Sequence, residues 1–166
     1  MTMTDVHGET KVENGVGTVI VSSVYATDAD DLWLAVTSLD RLRRWFGDLT
    51  PRADDNATSF DAALTTGWSG RVTVTACEPP ARLTAQLSDE STVTTVTATL
   101  IPTEGGTRLT IEERGLEPVG LYNYVAGWHA QLDQLDARLK GDDDVPWLAR
   151  WEQLRDEYRA ATEPTD

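Results

Sequence analysis

The 166 residues are 40% hydrophobic and 25% charged, the balance of a globular chain of about one-domain size. A formal net charge of −14 argues against nucleic acid and acidic lipid surfaces as partners, since both would be repelled. The lone Cys77 excludes an internal disulfide, and no apolar run nears the roughly 20 residues of a membrane-spanning helix. Met1–Asn14 is polar with no secretion signal, so the expected compartment is the cytoplasm.

Residues 1–14 read as a loose leader, 15–141 as the folded body, and 142–166 as an acidic break followed by a tail helix. Val16–Tyr25 is β-branched and bounded by turn residues, which predicts the first strand. Thr27-Asp28 offers an N-cap, with Asp30 and Asp31 in the first turn where the helix dipole favours acids. Leu32, Trp33, Val36 and Leu39 form that helix's apolar face, and a short second helical segment ends at Trp45 and Phe46. Residues 47–58 read as a loop with room for a short edge strand.

A meander of strands follows. Phe60, Ala62 and Leu64 alternate, then Val72, Val74 and Ala76, then Leu83, Ala85 and Leu87 after the Pro79-Pro80 turn. Val96, Ala98 and Leu100 continue the pattern, and Leu109 and Ile111 close it beyond the turn at Pro102–Gly106. One-sided alternation predicts an antiparallel sheet with one wet face. The dry face is left for the helix Gly120–Gly141, where Leu121, Val125, Trp128, Leu132, Leu135 and Leu139 recur at spacings of three and four. Gln131, Asp133, Gln134 and Arg138 are expected on its wet side. Trp147, Trp151, Leu154 and Tyr158 form a second, narrower seam on the tail helix, free to fold back or to pair with another copy.

This order of motifs resembles the START-like, Bet v 1-like superfamily, in the branch similar to the carboxy-terminal domain of the Hsp90 ATPase activator. The resemblance rests on Trp33, Leu42-x-x-Trp45-Phe46, Gly70-x-Val72, Glu78-Pro79-Pro80-x-Arg82-Leu83, Leu100-x-Pro102…Gly105-Gly106-Thr107-x-Leu109 and Gly127-Trp128…Leu132…Leu135…Leu139. It implies an α+β helix-grip fold, a curved antiparallel sheet wrapped around a long carboxy-terminal helix with a cavity between them. The chain departs from relatives at Arg52-Ala53-Asp54-Asp55, Gln86 and Glu113, which fall on that cavity or its mouth.

The residues expected to line the cavity are Phe46, Phe60, Trp68, Val72, Val74, Ala98, Ile111, Glu113, Tyr124 and Trp128. The small residues Ala62, Ala76, Ala85 and Ala98 would leave volume between sheet and helix. Glu113 follows Leu109 and Ile111 onto the inner face, where it is a candidate acid or base. The alternative is that it frays into solvent beside Gly115. His129, bordering the apolar helix face, is the second catalytic candidate, against simple packing. No phosphate loop, nucleophile elbow, zinc spacing or calcium loop is found, so neither metal nor cofactor is expected. The expected function is binding of a small apolar or aromatic ligand, as a monomer or as a homodimer through the tail helix. A cyclase- or dehydratase-like enzyme and an Hsp90-activator-like interaction protein are the alternatives.

Overall fold

The computed structural model describes residues 6–52, 58–143 and 146–162. Eight strands form one antiparallel sheet: β1 (His7–Glu13), β2 (Val16–Tyr25), β3 (Gly47–Pro51), β4 (Ser59–Leu64), β5 (Ser69–Glu78), β6 (Arg82–Ser88), β7 (Val93–Thr103) and β8 (Gly106–Leu116). Their spatial order is β1-β2-β8-β7-β6-β5-β4-β3, so the two ends of the strand series meet through the β2–β8 pair. Helices α1 (Ala29–Thr37) and α2 (Leu39–Leu42) bridge β2 to β3. The long α3 (Leu121–Lys140) and the tail helix α4 (Trp147–Thr162) complete the chain. This is the helix-grip arrangement.

Local chemistry explains the element ends. Asp28 caps α1 by accepting a hydrogen bond from Asp31 N–H at 2.8 Å. Gly120 and Gly141 flank α3 at φ of 81° and 72°, left-handed conformations that side-chain-bearing residues seldom adopt. The Gly141 N–H donates back to the carbonyls of Ala137 and Arg138.

The core is built where α3 and α1 cover the centre of the sheet. Val19, Val21, Leu109, Val125 and Leu132 are wholly buried, with Ala98, Ile111, Leu135 and Trp33 in the same cluster. Ala62, Val72, Ala85 and Leu87 form a smaller cluster beneath β4–β6. A third joins Ala126 and Ala130 of α3 to Leu154 of α4, flanked by Trp147, Trp151 and Tyr158. The tail seam therefore folds back onto its own chain.

Three expectations are corrected. Residues 7–13, read as part of a loose leader, form strand β1 paired to β2 from His7↔Ser22 to Glu13↔Val16. A polar edge strand held by backbone bonds carries no apolar alternation to announce it. Ala76 is exposed because a register shift between Val74 and Ala76 pairs it with Thr84 instead of continuing the inner row. Gln131 and Gln134 are buried, since the β4–β5 turn meets Gln131 through Thr65 and the α2–β3 segment meets Gln134 through the Arg44 carbonyl. Only Tyr124 and Lys140 of α3 are exposed. Residues 53–55, expected at the cavity or its mouth, and Asp144 of the acidic break lie outside the described residues.

Candidate functional site

A cleft of about 700 Å³ opens at one end of the sheet, between the β6–β7 turn, the last residues of β8, the first half of α3 and the start of α4. Its aromatic wall is Phe46, Trp68, Tyr124, Trp128, Trp147 and Trp151. Leu64, Leu87, Val93 and Leu116 add aliphatic surface, and Thr94, Gln131, Asn123 and Glu113 add polar groups.

Strand alternation carries Glu113 inward as the sequence suggests. Strand β8 continues to Leu116, so Glu113 sits before the end of pairing and is only 8% exposed. Its register partners are Val19 on β2 and Val96 on β7. Each carboxylate oxygen accepts one hydrogen bond. Trp128 Nε1–H donates to Oε1 at 2.9 Å, and the Thr94 hydroxyl donates to Oε2 at 2.7 Å. The Trp128 ring meanwhile stacks on Phe46, with centroids 5.9 Å apart and planes 16° from parallel.

The mouth is organised by Asp89. Its Oδ1 accepts from the Ser91 and Thr92 backbone N–H groups, both at 2.8 Å, and its Oδ2 accepts from Trp68 Nε1–H at 3.0 Å. The two backbone donors, then the indole, hold the carboxyl well below the usual carboxylate range. Trp68 is thereby tied to the β6–β7 turn.

Gln131 marks the inner end. Its Oε1 accepts from the Thr65 hydroxyl at 2.9 Å, while its Nε2 has no partner among the described residues. Trp147 Nε1 is likewise buried and unpartnered.

Five of the ten expected lining residues stand on the cleft: Phe46, Trp68, Glu113, Tyr124 and Trp128. Ala98 and Ile111 are instead packed into the main core, Val72 into the smaller cluster, and neither Phe60 nor Val74 reaches the wall. The space expected over the sheet's centre is filled by core side chains, and the opening lies further toward the sheet's end. His129 does not join Glu113. It lies on the side of α3 that meets α4, where its Nδ1 and the Tyr158 hydroxyl share a 2.8 Å hydrogen bond. Its Nε2 is 3.7 Å from Asp133, whose carboxylate is bonded to Arg150 Nε at 2.8 Å. Burial pushes the imidazole pKa down, outweighing the pull of Asp133. Packing, the alternative weighed for His129, accounts for its position.

Sequence reasoning missed Trp147, Trp151, Gln131 and the Asp89–Thr94 turn. The tail seam was legible, but only the docking of α4 shows that its tryptophans also face a cleft. Among the described residues no group of three or more His, Cys, Asp or Glu side chains is placed to hold a metal ion.

The sheet order, the long gripping helix and the cleft at its side define a START-like, Bet v 1-like protein. Within that class the chain belongs to the activator of Hsp90 ATPase homolog 1-like family, whose model matches residues 26–140. Solved structures agree on the fold. CalU16 from Micromonospora echinospora is 23% identical, with 98% of this chain and 100% of that one covered and a TM-score of 0.73. A protein encoded by gene BPP1335 of Bordetella parapertussis is 20% identical over 100% and 94% of the two chains, with a TM-score of 0.72. EF2215 from Enterococcus faecalis, described as a conserved protein of unknown function, is 14% identical over 93% and 89%, with a TM-score of 0.68. At such identities the likeness is one of fold alone. No curated protein matches the chain significantly. No helix among the described residues is long and apolar enough to cross a membrane.

Proposed function

We propose that the chain binds a small, flat, mainly apolar molecule in the cleft between β8, α3 and α4. The observation that carries this reading is the convergence of Phe46, Trp68, Tyr124, Trp128, Trp147 and Trp151, drawn from four separate parts of the chain, on one opening of about 700 Å³. Close packing is the rule for interiors, and rings that surround space instead of filling it suit a ligand. An acid–base enzyme is less well supported, because both oxygens of Glu113 are already engaged and His129 lies elsewhere on α3. A docking role for the tail seam is also weakened, since α3 covers it.

A neutral apolar dye such as Nile red tests the proposal. Its emission should rise and saturate, and the melting temperature should climb with dye concentration by mass action, by about 2.7 kcal/mol of added stability at a hundredfold excess over Kd. Gly127 stands on the cleft wall, and a Cβ there would meet Trp147 and Trp151 at an ordinary 3.9 Å. Gly127→Leu should therefore fill the cleft and suppress dye binding in a folded protein. Saturable binding that survives this substitution would place the ligand elsewhere, and the absence of binding would overturn the proposal.

A further inference from the structure

Resting on that ligand-binding reading, we propose that the cleft selects a cation: an organic ammonium carried on an aromatic or other apolar frame. The charges that line the opening have one sign. Asp89, Glu113 and Glu117 line it, and no Lys, Arg or His does so among the described residues; Arg155, outside the lining, stacks over the Trp151 ring at 4.8 Å. The nearest base in sequence to Glu113, Arg114, points to the other face of the sheet and pairs with Glu112 at 3.1 Å.

Glu113 is the decisive group. It is buried between Val19 and Val96, and its hydrogen-bond donors among the described residues, Trp128 and Thr94, are neutral. It has no ion-pair partner among the described residues. A carboxylate in such surroundings is incompletely compensated, because neutral donors return less than hydration did. An arriving ammonium supplies the missing counter-charge. A carboxylate ligand would add repulsion, and a neutral ligand would leave Glu113 as it is.

The aromatic wall points the same way. Ring faces carry negative electrostatic potential, and several rings around one cation form the cage that recognises ammonium groups. Here the indole of Trp128 donates its N–H to Glu113, so ring and carboxylate are adjacent. Outside, the exposed Asp89 and Glu117 extend the acidic path to the mouth, and the net charge of −14 favours approach of a cation. The unpartnered donors on Gln131 and Trp147 are uncharged and covered, and leave this balance unaltered.

Three probes on one frame separate charge from shape: 1-naphthylmethylammonium, 1-naphthylmethanol and 1-naphthoate, titrated at pH 7 by calorimetry at low and at high salt. The ammonium should bind about tenfold more tightly than the alcohol at low salt, the carboxylate most weakly, and the gap should narrow as salt rises. Glu113→Gln should cut the ammonium-to-alcohol ratio to about threefold or less. Should that variant fold poorly, the exposed Glu117→Gln should still lower the ratio measurably. Alcohol binding as tight as ammonium binding would overturn the charge selection and leave the ligand-binding reading standing. If none of the three binds, that reading falls and the inference with it. Ammonium affinity that persists in Gly127→Leu would mean attraction to the acidic surface at large, and would also overturn the inference.

Discussion

Trp128 joins two kinds of stabilisation in one side chain, because its ring stacks on Phe46 and its N–H satisfies a buried carboxylate. Trp128→Ala removes both and should cost about 3–5 kcal/mol in denaturant unfolding. Trp128→Phe keeps a ring yet leaves Glu113 Oε1 without its donor, and should cost about 1–3 kcal/mol. Combining it with Glu113→Gln should recover part of that loss, and strict additivity would show that the two groups do not interact. His129 supplies a pH test. Burial lowers its folded pKa below the ordinary 6.5, so its contribution to stability is complete above that value and declines as pH falls through the lowered pKa. Tyr158, which bonds to it, is pushed up to about 12 mainly by burial, then by Asp133, so stability should also fall as pH rises from 10 toward 12. An NMR titration placing the His129 midpoint above 6.5 would contradict the acid arm.

At the scale of elements, α4 is both a prop for α3 and a wall of the cleft. Leu154 is buried against Ala126 and Ala130, and burying one leucine contributes about 1.5–3 kcal/mol before the tryptophans are counted. Ending the chain after Gly141 should therefore lower stability by several kcal/mol on that scale and abolish dye binding, because Trp147 and Trp151 leave with the helix. An unchanged melting temperature would mean that α4 is a loose appendage. Strand β1 depends on the same docking. A Cβ at Gly8 would collide with the Tyr158 hydroxyl and with Val125, so Gly8→Val should loosen β1 or α4, readable as faster amide exchange in both.

These elements also show what could be read in advance. The inner rows of β6, β7 and β8 were legible because a sheet with one wet face writes its burial as strict alternation, and that alternation carried Glu113 inward. The long helix was legible from its glycine ends and apolar spacing. Ala76 was misplaced because a bulge leaves no mark in residue type. The burial of Gln131 and Gln134 was hidden because polar side chains look wet until something from elsewhere covers them. Half of the cleft belongs to that same category. Asp89, Trp147 and Trp151 lie far from Glu113 in sequence, and only the docking of α4 and the curve of the sheet bring them to one opening.

Across the whole molecule, the excess of acid acts twice: it repels itself and it biases what can approach. With a net charge of −14, moderate salt should raise the melting temperature by screening self-repulsion while weakening the binding of cations. Of the six tryptophans, Trp68, Trp128, Trp147 and Trp151 line the cleft, whereas Trp33 and Trp45 are packed in the core beneath α1. Each indole N–H gives its own resonance in a proton–nitrogen correlation spectrum, so 1-naphthylmethylammonium can be followed tryptophan by tryptophan. Binding in the cleft predicts saturable shifts at the four cleft indoles and at backbone amides of residues 89–94 and 113–117, with Trp33 and Trp45 unmoved. Shifts centred on Trp33 and Trp45, or spread evenly over the acidic surface, would contradict it.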